Sequence, residues 1–407
     1  MSFNLSQGVN RRTFLGAAAA LPLLGQQQPK RIAVITTIYR YLSHGQHMGD
    51  RFLVGYPHNG GWHHPSVKVV SLYVDQKPEG DLSEARAKEF GFRVYPTIAE
   101  TLRCGGNKLA VDAVLIIGEH GDYPVNAIGQ KLYPRYEFFE QDGRAVPVYN
   151  DKHLSYSFEK AQKMVSDSKR LGFPMLGGSS LPVTWRLPDV ELPLGCQIEE
   201  AVMVGENGAD DAMDFHALEG MQCMLERRKG GETGVRSVHW VEGDAVWKSG
   251  YSKDLLVAAL SRSDTPLGLT VKDGRTQDLV GSGQLQKLVE KPIAYVIEYR
   301  DGLRATMLNL RGALQDFNFA ARVKGHGIVS TQFLLTPNPN VTYSACLMNK
   351  AEEMFVTGRA PYPIERTLLT SGINEAAHKS GGEGKRLETP ALTVKYHAPK
   401  TSQYCRA

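Results

Sequence analysis

A helical segment near the middle of the chain carries an imidazole and a carboxylate at a spacing that suits catalysis. His216 and Glu219 are three residues apart, so the two side chains share one face of a helix. Such a pair can transfer protons as a general acid and base, or bind a metal ion. The plainer alternative is a histidine near a helix start that a carboxylate holds in place. Both residues are candidate catalytic residues.

Histidines are concentrated between the first two predicted strands, at His44, His47, His58, His63 and His64. His44 and His47 have the i, i+3 spacing of two ligands on one helical face, which makes them the candidates for a divalent metal. Histidines in polar loops are more often surface features, however. A further alternative is the rim of a sugar-binding site, with Trp62 and Tyr56 stacking on the sugar.

The segment from Glu119 to Tyr123 follows the third predicted strand. Ligands of open parallel sheets bind beyond the carboxyl ends of the strands. His120 and Tyr123 are therefore better placed for a ligand than the histidine group. We expect Glu119 and His120 to contact a cofactor and Tyr123 to contact a substrate.

Strand and helix patterns alternate over residues 30–150, which predicts a doubly wound parallel sheet. The predicted strands are 31–38, 67–74, 111–117 and 145–149, with a helix over 82–90. The strand over 111–117 is apolar throughout, as expected when both faces of a strand are covered. This domain is therefore expected to be Rossmann-like and to bind a nucleotide.

A second domain is predicted over residues 151–395, followed by a polar tail over 396–407. Helices are predicted over 158–170, 214–228 and 363–379, the second with Asp214 as its N-cap. A short strand over 174–178 precedes several strand-like runs between 235 and 342, which predict a large, open, mostly antiparallel sheet. The fold class is thus α/β followed by α+β.

The turn after the first predicted strand lacks the glycines of a dinucleotide-binding loop. A G-x-G-x-x-G turn lets the backbone approach a pyrophosphate, whereas this turn has no glycine before Gly45. The hydroxyls of Thr36 and Thr37 and the guanidinium of Arg40 are candidate phosphate donors in place of those glycines. The bulky side chains at positions 38 and 39 argue the other way, because they can fill the phosphate space.

The N-terminus has the pattern of an export signal. Arg11 and Arg12 precede an apolar run from Gly16 to Gly25 that is too short to span a bilayer. This pattern is typical of twin-arginine signals, so residues 1–29 are predicted to direct the protein to the periplasm or beyond. The alternative is a basic N-terminus before a short helix. No clear A-x-A site precedes Gln26, so both a cleaved signal and an uncleaved anchor stay open.

Charge and cysteine content exclude several classes of protein. A net charge of +4 over 407 residues, with no basic stripe between aromatic residues, does not support nucleic-acid binding. The five cysteines are scattered and contain no C-x-x-C, which argues against a disulfide framework and against structural zinc.

Four stretches of the chain resemble the Gfo/Idh/MocA oxidoreductases, named for glucose–fructose oxidoreductase and inositol dehydrogenase. Residues 69–75 and 85–95 resemble the family's second strand, acidic residue and helix, and residues 111–117 resemble its V-D-A-V-x-I-x strand. Residues 148–153, with the strand over 174–178, match the place of the E-K-P motif and the strand after it. Residues 362–380 resemble the closing helix. The resemblance implies this family's fold for nearly the whole chain.

The resemblance also implies roles for individual residues. Lys152, in Asp-Lys-His instead of Glu-Lys-Pro, matches the lysine that assists proton transfer at a substrate hydroxyl. A lysine buried at a domain junction acquires the lowered pKa that such work needs. Asp75 matches the acidic residue that binds the adenosine ribose, which favours NAD over NADP. His153 and Trp185 are candidate substrate-binding residues.

Two departures from the family pattern concern its motifs. The family has an Asp and a His four residues apart on a helix, and here His216 and Gly220 occupy those positions. The literal Glu290-Lys291-Pro292 leads into a predicted antiparallel strand, so it is interpreted as a coincidence.

Two functions follow from these patterns, with a structural partner protein as a third and lesser option. The first is an exported oxidoreductase acting on a sugar hydroxyl, with a tightly bound NAD or NADP. The second is a scaffold without nicotinamide chemistry that works as a metal-assisted carbohydrate lyase or hydrolase, or as a sugar-binding protein. In each case we expect a small carbohydrate ligand and a homo-oligomer formed through the C-terminal sheet.

Overall fold

The computed structural model of the protein describes residues 28–140, 146–205, 211–264, 279–336 and 338–406. The paired arginines and the apolar run of the predicted export signal lie outside the described residues. None of the helices in the described parts of the chain has the length and apolar character needed to cross a membrane.

The first sheet is parallel and Rossmann-like, as predicted. Its strands are β1 (Lys30–Thr36), β4 (Val67–Val74), β5 (Arg93–Val94), β6 (Ala113–Ile117), β7 (Val148–Asp151) and β8 (Met175–Gly178). They lie in the order β5-β4-β1-β6-β7-β8, and a separate hairpin consists of β2 (Tyr56–His58) and β3 (Gly61–His63). The order changes direction between β1 and β6, and ligands of such sheets bind beyond the carboxyl ends of those strands.

Six helices between residues 44 and 171 accompany this sheet, and α10 (Tyr343–Thr357) also packs on it. The six are α1 (His44–Gly49), α2 (Arg51–Val54), α3 (Ser83–Phe90), α4 (Ile98–Arg103), α5 (Arg135–Glu140) and α6 (Phe158–Leu171). Helices α3 and α6 both end at a left-handed glycine, Gly91 and Gly172, which is why the sequence located their ends to within one residue.

The second sheet has eight strands and is mostly antiparallel, as predicted. They are β9 (Arg186–Leu187), β10 (Ile198–Gly205), β11 (Val235–Glu242), β12 (Ile293–Tyr299), β13 (Arg304–Asn309), β14 (Phe317–Val323), β15 (Gly327–Phe333) and β16 (Leu387–Glu388). Their order is β16-β11-β12-β13-β10-β14-β15-β9, and among these pairs only β10 and β13 run parallel.

Helices cover both faces of the second sheet. The later helices are α7 (Asp211–Leu225), α8 (Lys253–Leu260), α9 (Leu285–Leu288), α10 (Tyr343–Thr357) and α11 (Glu365–Glu383). Helix α7 packs on one face, whereas Leu255 of α8 and Leu285 of α9 join Val202 and Leu308 in a core on the other face. A homo-oligomer through this sheet stays a prediction, and a second copy would have to approach surfaces that these helices leave free.

Three features differ from the sequence prediction. The first sheet extends to Gly178, so the predicted domain boundary at residue 150 falls within β7. Helix α7 begins at Asp211, and Asp214 is buried in its first turn, where it accepts a hydrogen bond from Tyr295 Oη at 2.5 Å. The predicted polar tail is packed against the protein, with Tyr404 buried. All three features depend on contacts between residues that are distant in sequence, so a local sequence pattern did not predict them.

Candidate active site

Lys152 follows the last residue of β7 and lies at the carboxyl end of the first sheet. Its side chain is buried, with the whole residue only 5% exposed, and Nζ lies 3.3 Å from Glu119 Oε1. The backbone of Lys152 has φ +46° and that of His120 has φ +67°, a left-handed conformation that side chains other than glycine rarely adopt. Backbone strain of this kind concentrates at functional sites because the surrounding structure must hold it in place.

Glu119 balances the charge of two buried cations. It follows β6, and its second carboxylate oxygen, Oε2, accepts a hydrogen bond from Arg135 Nη2 at 2.5 Å. Burial alone would raise the pKa of Glu119, but Lys152 and Arg135 outweigh it and hold the pKa below its ordinary value. Glu119 was predicted to contact a cofactor; the structure instead pairs its carboxylate with two cations.

His44 and Asp151 form a buried imidazole–carboxylate pair, with His44 Nδ1 2.7 Å from Asp151 Oδ2. Burial and the Glu119 carboxylate raise the pKa of Asp151 to about 6, so Asp151 is ionised at neutral pH. Burial and the charge of Lys152 lower the pKa of His44, so its ring is neutral and Nδ1–H donates to Asp151. This tautomer leaves a lone pair on His44 Nε2, the arrangement of a general base oriented by a carboxylate.

Two further histidines surround His44. The rings of His47 and His120 each lie 5.0 Å from the ring of His44, and burial lowers the pKa of both. His120 Nδ1 also lies 3.4 Å from the backbone N of His44. Within the described residues, no group of three or more His, Cys, Asp or Glu side chains is arranged to hold a metal ion. The predicted pair His44 and His47 is therefore better described as part of an acid–base cluster.

Ser179 joins the two predicted catalytic residues on α7. Ser179 Oγ lies 2.5 Å from His216 Nδ1, and Ser179 N–H donates to Glu219 Oε2 at 3.4 Å. A serine from the segment after β8 thus bridges the imidazole and the carboxylate, and their action as a catalytic pair stays a prediction. Burial lowers the pKa of His216, and the charges of Lys152 and His44 lower it further. The imidazole on α7 therefore lies close enough to Lys152 to be affected by its charge.

Three predicted substrate-binding residues have other partners. His153 is buried, with Nδ1 3.2 Å from Arg135 Nη1, its Nε2 3.6 Å from Asp211 Oδ2 and its ring against Phe215. Tyr123 Oη donates to Asp75 Oδ2 at 2.6 Å. Trp185 packs against the core that the first sheet shares with α10. Of the three, Tyr123 is the residue that contacts Asp75, the candidate for ribose binding.

The two threonine hydroxyls in the turn after β1 are already hydrogen-bonded within the protein. Thr36 Oγ1 donates to the carbonyl of Ile38 at 3.1 Å, and Thr37 Oγ1 donates to the carbonyl of Glu119 at 2.6 Å. Both threonines are fully buried, and Tyr39 is buried with its hydroxyl donating to Asp50 Oδ1 at 2.7 Å. The predicted phosphate donors Thr36 and Thr37 therefore already donate to buried backbone carbonyls, which need hydrogen-bond partners.

The other predicted nucleotide contacts lie on the surface of the same edge. Asp75 is exposed at the end of β4, and its two oxygens accept hydrogen bonds from the hydroxyls of Tyr73 and Tyr123 at 2.7 and 2.6 Å. Arg40 is exposed beside the turn. Each oxygen of the exposed Asp75 can accept a second hydrogen bond, so a ribose could bind beside the two tyrosine hydroxyls, and Arg40 is accessible to a ligand.

Of the remaining residues of the predicted sugar rim, Tyr56, His58 and His63 pack ring against ring, whereas Trp62 lies apart from them. Tyr56 is buried, and its hydroxyl donates to Glu352 Oε2 at 2.5 Å, while His63 Nε2 lies 3.0 Å from the same oxygen. Trp62 is 56% exposed, and its indole N–H donates to the carbonyl of Val54. A rim formed by Tyr56 and Trp62 together is therefore excluded, since Tyr56 faces α10.

Sequence reasoning missed Asp151, Arg135 and Ser179. Asp151 belongs to the Asp-Lys-His motif, but its contact with His44 joins two residues that are 107 positions apart in the chain. Arg135 begins α5 and Ser179 follows β8, and neither lies in a recognisable motif. The position of Ser179 directly after the strand end, next to two glycines, was the only sequence signal available.

Glu219 gives the site a pH-dependent contribution to stability. Burial raises the pKa of Glu219 to about 7, against the lowering effects of Arg366 and of the hydrogen bond from Thr370 Oγ1 at 2.7 Å. A carboxyl group with a raised folded-state pKa stabilises the protein at low pH, and this contribution is lost as the pH rises through about 7.

We therefore expect Glu219→Gln to reduce the pH dependence of stability. The free energy of unfolding of the wild type should fall between pH 5 and pH 8, and in the variant this fall should shrink by about 3 kcal/mol. Urea titrations at both pH values measure the effect, with the exposed Glu159→Gln as the control. An equal fall in wild type and Glu219→Gln would contradict the buried, protonated carboxyl.

Comparisons with known proteins identify the fold. No family pattern and no characterised protein matches the chain in sequence. In structure, the chain is similar to GenD2 from gentamicin A biosynthesis in complex with NAD, with a TM-score of 0.56 and 14% identity over 89% of this chain and 97% of that chain. It is also similar to myo-inositol dehydrogenase from Lactobacillus casei in complex with NAD(H) and myo-inositol, with a TM-score of 0.54 and 12% identity.

A third similar structure is a probable dehydrogenase from Thermotoga maritima, with a TM-score of 0.53 and 14% identity. The Lactobacillus casei and Thermotoga maritima matches cover 88% and 89% of this chain, and 96% and 99% of those chains. Because both domains are matched over nearly their full length, the similarity concerns the whole architecture and not one sheet alone. The chain has the two-domain fold of the Gfo/Idh/MocA oxidoreductases, as the resemblance in its sequence predicted.

Proposed function

We propose that the protein is an oxidoreductase that acts on a hydroxyl group of a sugar or sugar derivative, with Lys152 as the acid–base residue. The observation that carries this proposal is the buried Lys152 ammonium at the carboxyl end of the first sheet, held by Glu119. The fold supports it, since similar structures include an inositol dehydrogenase bound to NAD(H) and myo-inositol.

Lys152 Nζ would exchange a proton with the substrate oxygen. Glu119 holds the ammonium and balances its charge in the buried site, and Arg135 in turn holds the other oxygen of Glu119. His44 Nε2 offers a second basic atom in the same cluster, because Asp151 fixes its Nδ1 tautomer. His216 and Ser179 approach from α7 and the end of β8, on the side of the second domain.

A second candidate function follows from the turn after β1. The hydroxyls of Thr36 and Thr37 are engaged with backbone carbonyls, and the turn has no glycine before Gly45, which supports a site without a dinucleotide. An enzyme with the same acid–base cluster and no nicotinamide would be a carbohydrate lyase or hydrolase, or a sugar-binding protein.

Nucleotide binding distinguishes the two candidates. If the oxidoreductase proposal is correct, the purified protein carries NAD(H) or NADP(H), which is released on denaturation and identified by mass spectrometry. Asp75→Ala should weaken nucleotide binding by about tenfold in calorimetry, as expected for the loss of a charged hydrogen-bond partner. The control is Asp122→Ala, an exposed carboxylate at the same edge of the sheet.

An empty protein that binds neither NAD nor NADP at millimolar concentration would defeat the oxidoreductase proposal and favour the second candidate. Equal affinities of wild type and Asp75→Ala would place the ribose elsewhere while leaving redox chemistry intact. In either case the acid–base role of Lys152 is tested separately by the Lys152→Met variant.

The proposal includes export by the twin-arginine pathway. Support comes from Arg11 and Arg12 ahead of a short apolar run. Twin-arginine export carries folded proteins, so a nucleotide inserted in the cytoplasm would have to be held tightly outside it.

A further inference from the structure

The last residues of the chain, here called the C-terminal segment (residues 399–406), are fastened to the protein by backbone contacts. Ser402 N–H donates to Glu191 Oε1 at 2.6 Å, and Cys405 N–H donates to the carbonyl of Val183 at 2.8 Å. The segment therefore lies in a defined position along residues 183–191, which follow the end of β8 and Ser179.

Side chains add to this attachment. The guanidinium of Arg186 lies 3.9 Å from the centre of the Tyr404 ring, and that of Arg406 lies 4.3 Å from the same ring. Tyr404 Oη also bonds the Asp189 carboxylate. These contacts hold the residues on both sides of Cys405, so the direction of its side chain is set by the fold.

The side chain of Cys405 reaches α10. Its Sγ lies 2.6 Å from Sγ of Cys346, which is buried on that helix, and no other atom lies between the two thiols. One turn further along α10, Lys350 Nζ lies 3.4 Å from Gln403 Oε1, so the segment and the helix touch at two points. The distance between the two sulfur atoms is shorter than that of two unbonded sulfur atoms in contact, and it approaches the roughly 2.05 Å of a disulfide bond.

We infer that Cys346 and Cys405 form a disulfide bond that locks the C-terminal segment onto α10. The oxidant is a disulfide of the thiol-oxidase class or oxidised glutathione. The thiolate of the partly exposed Cys405 attacks one sulfur of that disulfide and expels one thiol. The thiolate of Cys346 then attacks Cys405 Sγ and expels the second thiol, so two protein thiols are oxidised and one oxidant disulfide is reduced to two thiols.

The bond would connect the two supports of the candidate active site. On one side, α10 braces α1, since Ser344 Oγ donates to the carbonyl of His47 at 3.3 Å and the Tyr343 ring lies 5.8 Å from the His47 ring. On the other side, the C-terminal segment packs on residues 183–191, which follow Ser179. A cross-link between residues 59 positions apart also removes conformational freedom from the unfolded chain.

Mass spectrometry of the full-length protein tests the bond directly. After incubation with oxidised glutathione and removal of the reagent, alkylation without reduction should leave Cys346 and Cys405 unlabelled. Proteolysis should then release one linked pair of peptides, which separates on reduction with a gain of two hydrogen atoms. Because the oxidant is supplied in vitro, the result does not depend on whether the protein is exported or binds a nucleotide.

Matched variants test the structural consequence. Cys405→Ser should lower the Tm of the oxidised protein by roughly 5 °C relative to wild type, and the difference should vanish in reducing buffer. The control is Cys104→Ser, a half-buried cysteine far from this contact. Labelling of both thiols after oxidation would overturn the inference, as would a Tm of Cys405→Ser that equals that of the oxidised wild type.

Discussion

Replacing Lys152 by methionine is expected to lower kcat on a sugar or polyol substrate about 100-fold or more, while the protein still folds. Methionine keeps the length of the side chain and removes the proton that the ammonium exchanges with the substrate oxygen. Because Glu119 would keep Arg135 as a partner, the carboxylate is not left without a cation. Steady-state kinetics and thermal unfolding of the variant measure the two parts of this prediction.

The matched control for Lys152→Met is Lys291→Met. Lys291 stands in a literal Glu-Lys-Pro, but it is exposed at the start of β12 and lines a different cavity of about 1000 Å³ with Trp240 and Arg311. This variant should keep kcat within about twofold of wild type, because surface substitutions away from the site change little. A near-normal Lys152→Met together with an inactive Lys291→Met would show that the motif has been matched to the wrong lysine.

Replacing Arg11 and Arg12 together by lysine is expected to abolish export and leave the protein in the cytoplasm. The exchange preserves both positive charges, so the loss would reflect recognition of the paired guanidinium groups and not of charge. Cell fractionation followed by immunodetection measures the distribution. Both residues lie outside the described part of the structure, so this prediction rests on the sequence alone.

The control for the export experiment is the same double exchange at Arg93 and Arg103, which are exposed on the first domain. That variant should be exported like the wild type. Unchanged export of the Arg11, Arg12 variant would refute the twin-arginine prediction and return the segment to a basic N-terminus before a short helix.

The sequence located the parallel sheet well because its strands carry their own signals. Strand β4 begins and ends where its alternating apolar pattern predicted, and β6 is buried on both faces as its uninterrupted apolar run indicated. Helix α6 was found for a similar reason, since Ser157 caps its start and Gly172 ends it in a left-handed conformation. These signals lie within each element, so the sequence shows them without knowledge of the fold.

Elements whose formation depends on distant partners were missed. Helix α10 has no N-terminal side-chain cap, and its buried face packs on the first sheet, nearly three hundred residues earlier in the chain. The C-terminal segment is polar in composition, and only its contacts with Arg186, Glu191 and α10 hold it in place. The C-terminal segment has no periodicity that a sequence pattern can detect, whereas α10 does carry local signals, with Leu347, Ala351 and Met354 at helical spacing and the left-handed Gly358 at its end.

The sequence by itself determined the fold class, the position of Lys152 after a buried strand and the absence of a glycine turn, because each is set by neighbouring residues. Only the tertiary structure decided which side chains share the site. His44 meets Asp151 and Lys152 meets Glu119 because parallel strands bring their carboxyl ends together, whatever their separation along the chain. Likewise, Ser179 separates His216 from Glu219 because β8 ends against α7, a contact between elements that no local pattern encodes.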